Sequence, residues 1–217
     1  ASVLGIKDST AARVAQEKFV HIAAWINSIE PPKYPGKIDL KLAEQGKQIF
    51  QKKCQGCHGT YGERESYPNK VISLEKIGTD PLYASYASDS KIVGWYNQSW
   101  FAQSEPRSWF EPEHGYIAPP LDGIWATAPY LHNGSIPTLE DLLNSSQRPE
   151  KWKRSFGTSA SEYDNEKVGW KYTLETISGS SLIYDTTLPG YGNQGHTFAD
   201  SLSENYRWAL VEYLKTL

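Results

Sequence analysis

The two cysteines of the chain stand three positions apart, and a histidine follows the second directly. Cys54, Cys57 and His58 form a C-x-x-C-H motif, the pattern that attaches a haem covalently. Within about one helical turn the two thiols can reach the two vinyl groups on one edge of a porphyrin, and the adjacent imidazole can reach the iron. The motif therefore predicts one covalently bound haem c, with Cys54 and Cys57 as thioether anchors and His58 as the proximal iron ligand.

Three other uses of a cysteine pair compete with haem attachment. A redox-active dithiol belongs near a βαβ pattern, and no such pattern surrounds residues 54–58. A structural zinc site needs four ligands, usually with a second paired set, whereas the other histidines are scattered singly. A pair of buried structural cysteines would not need the histidine that follows. These comparisons favour haem.

The ligand opposite His58 has several candidates. The chain contains no methionine, which excludes the methionine ligand that many cytochromes use. The other histidines are His21, on an N-terminal helix, and His114, in a polar loop, together with His132 and His196. His196 ends a glycine-rich loop just before the last helix, the place where small cytochromes c carry their distal ligand. We expect His196 as the distal ligand and His132 as the fallback, with an open site as a further alternative.

Composition and charge exclude several classes of function. The chain has 217 residues and carries 22 lysines and arginines against 25 aspartates and glutamates, a net charge of −3, so no basic excess favours nucleic acid. Hydrophobic residues make up 39%, and no apolar run is long enough to cross a bilayer. The chain starts at Ala1 without a charged and apolar leader. Because covalent haem attachment implies export from the bacterial cytoplasm, we expect a periplasmic protein whose signal peptide is absent from this chain.

Two helices are predicted before and at the cysteine motif. Apolar residues recur at helical spacing over 9–29, and the prolines that follow end this first helix. A second helix should begin after Asp39, a suitable N-cap, and run to about Lys53. Gly46 is a poor helix residue, so we expect it to allow close approach by another helix.

The sequence of the C-terminal third predicts one β-hairpin and one helix. Residues 168–177 alternate between two faces, and an extended run over 181–187 follows a short glycine-containing turn, a pattern typical of a β-hairpin. Ser201 and Glu204 form a capping box before the last helix, which has an apolar face. We expect this face to pack against the helix that carries Gly46.

Together these patterns predict a mainly α fold with long ordered loops and a small β-hairpin. The two helices and the C-x-x-C-H motif resemble the cytochrome c fold, which implies a cytochrome c-like helical core. We expect a single mono-haem domain over 1–217. Residues 1–37 would supply an N-terminal helix and linker, and residues 38–217 the haem-binding core. Residues 59–137 show no sustained periodicity, so we interpret them as a long insertion whose loops cover the cofactor.

Several stretches resemble a known family. The turn at 128–134, within residues 118–139, has the sequence Ala-Pro-Tyr-Leu-His-Asn-Gly. It resembles the Ala-Pro-Tyr-x-His-Asp/Asn-Gly turn of the di-haem cytochrome c peroxidase superfamily. Residues 148–149, residues 163–170 and the loop at 195–196 are similar to one branch, the di-haem rubber oxygenases, over their C-terminal haem domain.

This resemblance extends from about 31 to 217 and implies a haem with two histidine ligands. It implies His58 as the proximal and His196 as the distal ligand, with His132 supporting the pocket without binding iron. The enzymes of that branch have two haems and react with oxygen or peroxide at the haem with an open site. Here one C-x-x-C-H motif is present, and the chain resembles the electron-transferring domain, so enzyme activity is not carried over.

The sequence thus favours an electron carrier. We expect a mono-haem c-type cytochrome that transfers single electrons through a six-coordinate, bis-histidine haem. Its partner would be a redox protein or a subunit of a dehydrogenase or oxidase. We expect no nucleic acid partner and no transmembrane segment, and the sequence leaves the oligomeric state open. The alternative is a mono-haem peroxidase or oxygenase with an open or openable distal site, in which His132 or Glu113 would transfer protons. Tryptophans would then relay electrons: Trp95, Trp100, Trp109 and Trp125.

Overall fold

The computed structural model describes residues 7–105 and 107–217. Helices account for 39% of the residues and strands for 10%, and the strands described form three small antiparallel sheets. The predicted mainly α fold is therefore wrong, because helices and small sheets are mixed. The strands before residue 168 escape prediction because each has only two or three residues, too few to show alternation.

The regular elements are short and evenly spread along the chain. The α-helices of the described residues are α1 (Ser9–Gln16), α2 (Phe19–Asn27), α3 (Leu40–Lys53), α4 (Gln55–His58), α5 (Leu74–Ile77), α6 (Leu82–Ala87), α7 (Ser90–Asn97), α8 (Trp100–Gln103), α9 (Leu139–Leu143) and α10 (Glu204–Leu214). The strands there are β1 (Val71–Ser73), β2 (Gly115–Ile117), β3 (Lys151–Lys153), β4 (Tyr163–Asp164), β5 (Gly169–Trp170), β6 (Thr173–Leu174) and β7 (Tyr184–Asp185). Short 3₁₀ helices lie at Ile124–Ala126, Ser145–Gln147 and Ala160–Glu162. No helix within 7–105 or 107–217 has the length and apolar character needed to span a membrane.

The chain divides into two compact units, Ala1–Pro32 and Lys33–Leu217. The single haem-binding domain that we expect over 1–217 stays a prediction. The second unit contains the C-x-x-C-H motif and both candidate distal histidines. Its largest group of buried apolar side chains joins α3, α9 and α10 to the segments between them.

In the first unit, α1 and α2 replace the single helix predicted over 9–29. The break lies at Glu17 and Lys18. The N–H of Lys18 donates to the carbonyl oxygen of Ala15, and the N–H of His21 donates to that of Lys18, at 3.1 Å each. Two tight turns of i→i+3 type thus interrupt the i→i+4 pattern of a continuous helix.

The core of the second unit depends on a close contact between α3 and α10. The carboxylate of Asp39 caps α3 by accepting from the N–H groups of Lys41 and Leu42, both at 3.0 Å, as predicted. A Cβ atom added to Gly46 would come within 1.9 Å of the carbonyl oxygen of Ala209. The two backbones therefore touch, and the predicted packing of the last helix on the Gly46 helix is confirmed.

The last helix differs from its prediction at its beginning. Ser203 is the N-cap and makes no side-chain capping bond, so the predicted capping box of Ser201 and Glu204 is wrong. Tyr206 falls at the helical spacing of the apolar face but is 53% exposed. The buried residues of that face lie further along the helix and are Ala209, Leu210, Tyr213 and Leu214. The helix is thus anchored by its second half.

The predicted β-hairpin is wrong. Its two extended runs contain β6 and β7, which do not pair with each other but flank β3 on its two sides. Trp152 of β3 stands opposite Leu174 in one pair and Tyr184 in the other. Its indole is 3% exposed, stacks on the Tyr184 ring and donates to the carbonyl oxygen of Ser135 at 3.0 Å. Covering this large side chain favours the three-stranded arrangement.

The α3–α10 contact leads to a first prediction. We expect Gly46→Ala to lower the free energy of unfolding by about 1–3 kcal/mol, because the added methyl group must push the two helices apart. Gly94→Ala, inside α7, is the matched control, since nothing lies within 4 Å of a Cβ atom at that position. Its free energy of unfolding should rise by about 0.5–1 kcal/mol, because alanine is more favourable than glycine in a helix. Urea unfolding followed by circular dichroism measures both. An unchanged midpoint for Gly46→Ala would contradict the contact.

Candidate functional site

One cavity of the second unit brings the predicted site residues together. It has a volume of about 660 Å³ and is lined by Cys54, Cys57, His58, His132 and His196. Most of its wall is apolar and includes Phe50, Leu131, Leu139, Leu143, Leu210 and Leu214. A mostly apolar cavity of this size with a few converging polar groups is typical of a site for a small molecule or cofactor.

Both cysteines line the cavity. Cys54 follows α3, and the N–H groups of Cys57 and His58 donate to its carbonyl oxygen at 3.1 and 3.0 Å. Both thiols are free. Burial is the main cause that raises the pKa of Cys54 to about 11, with the nearby Lys53 acting in the opposite direction. A redox dithiol needs a thiol whose pKa is lowered, so this environment does not favour that alternative.

His58 is oriented by a main-chain carbonyl. Its Nδ1 lies 2.9 Å from the carbonyl oxygen of Pro119, and because a carbonyl only accepts, Nδ1 carries the proton. Burial lowers the pKa of the ring, and the bond to Pro119 partly opposes this. A neutral imidazole with Nδ1–H engaged keeps Nε2 as the atom that can bind a metal. The phenol of Tyr61 supports the same geometry by donating to the carbonyl oxygen of His58 at 2.9 Å.

His196 faces the cavity from the glycine-rich loop. Its φ of +48° lies in the left-handed region, and its N–H donates to the carbonyl oxygen of Ile77 at 2.7 Å. The Nδ1 atom is buried and finds no hydrogen-bond partner among the described residues. Burial above all, then the charges of His58 and Arg148, lowers the ring's pKa to about 4. The ring is therefore neutral at pH 7, as a metal ligand must be.

The separation of the two imidazoles suits a shared metal ion. The ring centroids of His58 and His196 lie 6.2 Å apart, with the planes inclined at 62°. A bond of about 2 Å from a metal to each ring nitrogen, plus roughly 1 Å from nitrogen to ring centre on each side, gives about 6 Å for two opposed imidazoles. The spacing, the apolar walls and the two thiols together fit a haem held from both faces.

His132 lines the same cavity but is engaged by an aromatic neighbour. Its ring stacks on Tyr116 with centroids 3.9 Å apart and planes inclined at 16°. The Tyr116 hydroxyl donates to the carbonyl oxygen of Asp80 at 2.7 Å, which fixes the stack. His21 lies in α2 and His114 just before β2, and both side chains are exposed.

The structure adds three side chains that sequence reasoning did not place at the site. Asp80 accepts from the N–H groups of Gly190 and Gly192 at 3.1 and 3.2 Å. The amide of Asn133 donates to the carbonyl oxygens of the same two glycines at 3.1 and 2.8 Å. Arg148 donates to carbonyl oxygens nearer His196. Asn133 lies in the stretch at 118–139 that resembles the peroxidase superfamily, and Arg148 lies in residues 148–149, which are similar to the rubber oxygenase branch. Nothing in the sequence marks Asp80.

A zinc site finds no support in the described residues. Within 7–105 and 107–217, no three side chains of His, Cys, Asp or Glu come together in a group that could hold a metal ion.

Comparison with known proteins identifies one region. A family model described as RoxA-like, cytochrome c-like matches residues 115–153. This stretch is a cytochrome c-like region. Such a region implies haem binding, and the match includes His132 and Arg148. The C-x-x-C-H motif and His196 lie outside the matched residues, so their roles as anchors and ligands stay predictions.

Two relatives cover most of the chain. The uncharacterized protein y4iJ of Sinorhizobium fredii (strain NBRC 101917 / NGR234) is 32% identical over 254 aligned positions, which cover 87% of this chain and 41% of that protein. The uncharacterized protein y4iM of the same strain is 29% identical over 245 positions, covering 90% of this chain and 53% of that protein. The chain thus spans about half or less of the length of these relatives.

The glycine before His196 gives a second prediction. Gly195 has a φ of +75°, and a Cβ atom there would lie 2.3 Å from the carbonyl carbon of Gly78. Gly179 also has positive φ, +87°, but nothing lies within 4 Å of its Cβ position. We expect Gly179→Ala to cost about 1–2 kcal/mol from backbone strain alone, and Gly195→Ala about 1–3 kcal/mol more from overlap. Urea unfolding of both variants measures the difference, and equal costs would contradict the close approach.

Proposed function

We propose that this chain is the mono-haem c-type cytochrome part of an exported protein and transfers single electrons through a six-coordinate, bis-histidine haem. The observation that carries the proposal is the placement of His58 and His196, which line one cavity with their ring centroids 6.2 Å apart. Cys54 and Cys57 line the same cavity. The cytochrome c-like match at 115–153 supports haem as the occupant.

Each residue has a distinct part in this proposal. Cys54 and Cys57 would form the thioether bonds, His58 would be the proximal ligand and His196 the distal ligand. A haem bound in this way supplies a one-electron iron couple. The hydrogen bond from His58 to Pro119 orients the proximal ring and makes it a stronger donor to a metal. The apolar walls exclude water, which keeps the surroundings of the site from rearranging when charge changes.

The fixed position of the distal loop favours an electron carrier over an enzyme. A peroxidase or oxygenase needs a coordination position that is open or that opens. His196 is held through its own N–H and through the bonds that Asp80, Asn133 and Arg148 make to its loop. A ring so restrained keeps small molecules from the metal. The proposed partner is a redox protein or a dehydrogenase or oxidase subunit, and the periplasm is the proposed location.

Substitution of the distal ligand gives a third prediction. Oxidised wild-type protein should show a low-spin spectrum that cyanide does not change on mixing. His196→Ala should become high-spin and bind cyanide at once, because one iron position loses its ligand. His132→Ala is the matched control and should remain low-spin. Visible and electron paramagnetic resonance spectra report both states.

The same spectra decide between the alternatives. A high-spin spectrum for His132→Ala and a low-spin one for His196→Ala would make His132 the distal ligand. A high-spin wild-type protein that binds cyanide on mixing would support the peroxidase or oxygenase alternative instead.

The covalent attachment gives a fourth prediction. The chain should be produced in a bacterial host that exports it and matures c-type haem. Acidified acetone should leave the haem on the wild-type polypeptide, whose mass should exceed that of the amino acids by one haem. The double variant Cys54→Ala, Cys57→Ala should lose its haem to the solvent, because the two imidazoles alone hold it. Release of the haem from the wild-type chain would rule out the thioether bonds.

A further inference from the structure

Arg148 binds the main chain at the distal ligand and just before it. Its Nη1 donates to the carbonyl oxygens of Asn193 and Gly195, both at 2.7 Å. Its Nη2 donates to the carbonyl oxygen of His196 itself, at 3.3 Å. One planar guanidinium thus holds three carbonyl groups within four consecutive residues of the loop.

The rest of the guanidinium is bound to the end of α9. Nε donates to the carbonyl oxygen of Asp141 at 3.2 Å, and Nη2 donates to that of Leu142 at 2.9 Å. Helix α9 is firmly placed, because Leu139 and Leu143 belong to the buried core. All five N–H donors of the guanidinium therefore go to main-chain carbonyls, and they tie the loop to a rigid element.

The loop needs such a restraint. His196 adopts a φ of +48°, a backbone conformation that residues with a side chain rarely hold unless neighbours impose it. Its preceding glycine, Gly195, also has positive φ. The position of the imidazole thus depends on what holds the surrounding carbonyl groups.

We propose that Arg148 is a positioning residue for the distal imidazole, keeping the ring of His196 opposite His58 and slowing its departure. This inference rests on the proposed function, because it assigns Arg148 a role toward the same iron ligand. Lysine cannot replace the arginine: an ammonium group has three donors at one point and lacks the planar fork that reaches both segments.

The rate at which cyanide replaces the distal ligand tests the proposal. Arg148→Lys keeps the charge and loses the fork, and Arg148→Gln loses both. Arg207 is the matched control, since it is also half-buried and donates to a carbonyl oxygen, that of Leu202 at 2.7 Å, away from the loop. In excess cyanide, the iron of both Arg148 variants should bind cyanide about ten- to a hundredfold faster than the wild type, because each lost hydrogen bond from a charged donor changes the loop-opening equilibrium by about tenfold or more. Arg207→Lys and Arg207→Gln should bind at the wild-type rate.

Amide hydrogen exchange of the haem-loaded protein separates this inference from the proposed function. In the Arg148 variants, the protection factors of the amide groups over 190–196, including the N–H of His196, should fall by about tenfold or more. The protection of α10 should stay unchanged. Unchanged protection of the loop, or a wild-type rate of cyanide binding in both variants, would overturn the inference. Equal loss of protection in α10 would also overturn it, because the effect would then be one of global stability. If the wild-type iron takes up cyanide on mixing, the proposed function fails, and loop exchange alone decides the role of Arg148.

Discussion

The backbone contact between α3 and α10 is the constraint on which the second unit depends. Because Gly46 has no side chain, the helix can lie directly against the carbonyl oxygen of Ala209. This contact fixes the position of Cys54, at the end of α3, and of the turn that follows it. On the other helix, Leu210 and Leu214 then line the same cavity as the cysteines. The absence of a side chain at Gly46 thus determines both the distance between the two helices and the position of the cysteines.

The two sides of the cavity are held by different kinds of interaction. The side with the cysteines and His58 is an extension of a helix and is placed by apolar packing. The side with His196 is a loop without regular structure, and polar groups from distant parts of the chain fix its course. Asp80 accepts hydrogen bonds from the N–H groups of the loop, whereas Asn133 and Arg148 donate to its carbonyl oxygens. Such bonds are directional, so they can specify the position of a loop that has no repeating pattern of its own.

The sequence predicts the elements whose signals are local. The Asp39 cap, the small residue at 46 and the repeated apolar spacing of the last helix each lie within one element. The first two agree with the structure, and the third agrees from Ala209 onward. The hairpin is wrong because both of its runs pair with β3, whose three residues are too few to establish a strand pattern in the sequence. The capping box at 201–204 is wrong because Ser203 lies nearer to the helix start.

The candidate site shows the same division. The motif at 54–58 and the glycine-rich approach to His196 are visible in the sequence, and one cavity unites them. The carbonyl oxygen of Pro119, which orients His58, is not visible, because any residue can supply a carbonyl. The role of Arg148 is equally hidden, since its partners are main-chain groups whose identity leaves no mark on the sequence. Contacts of this kind become evident only when the fold is known.

The contiguous cysteine motif and the remote distal histidine have a consequence for assembly. Cys54, Cys57 and His58 lie within a single turn, so a disordered chain could present all three to a porphyrin before any tertiary contact forms. His196 reaches the opposite side only after segments far apart in sequence have met, a slow step whose loop-closure entropy must be overcome first. Under the proposed function, an early intermediate would therefore hold its cofactor by one side, and arrival of the second imidazole would mark the end of folding.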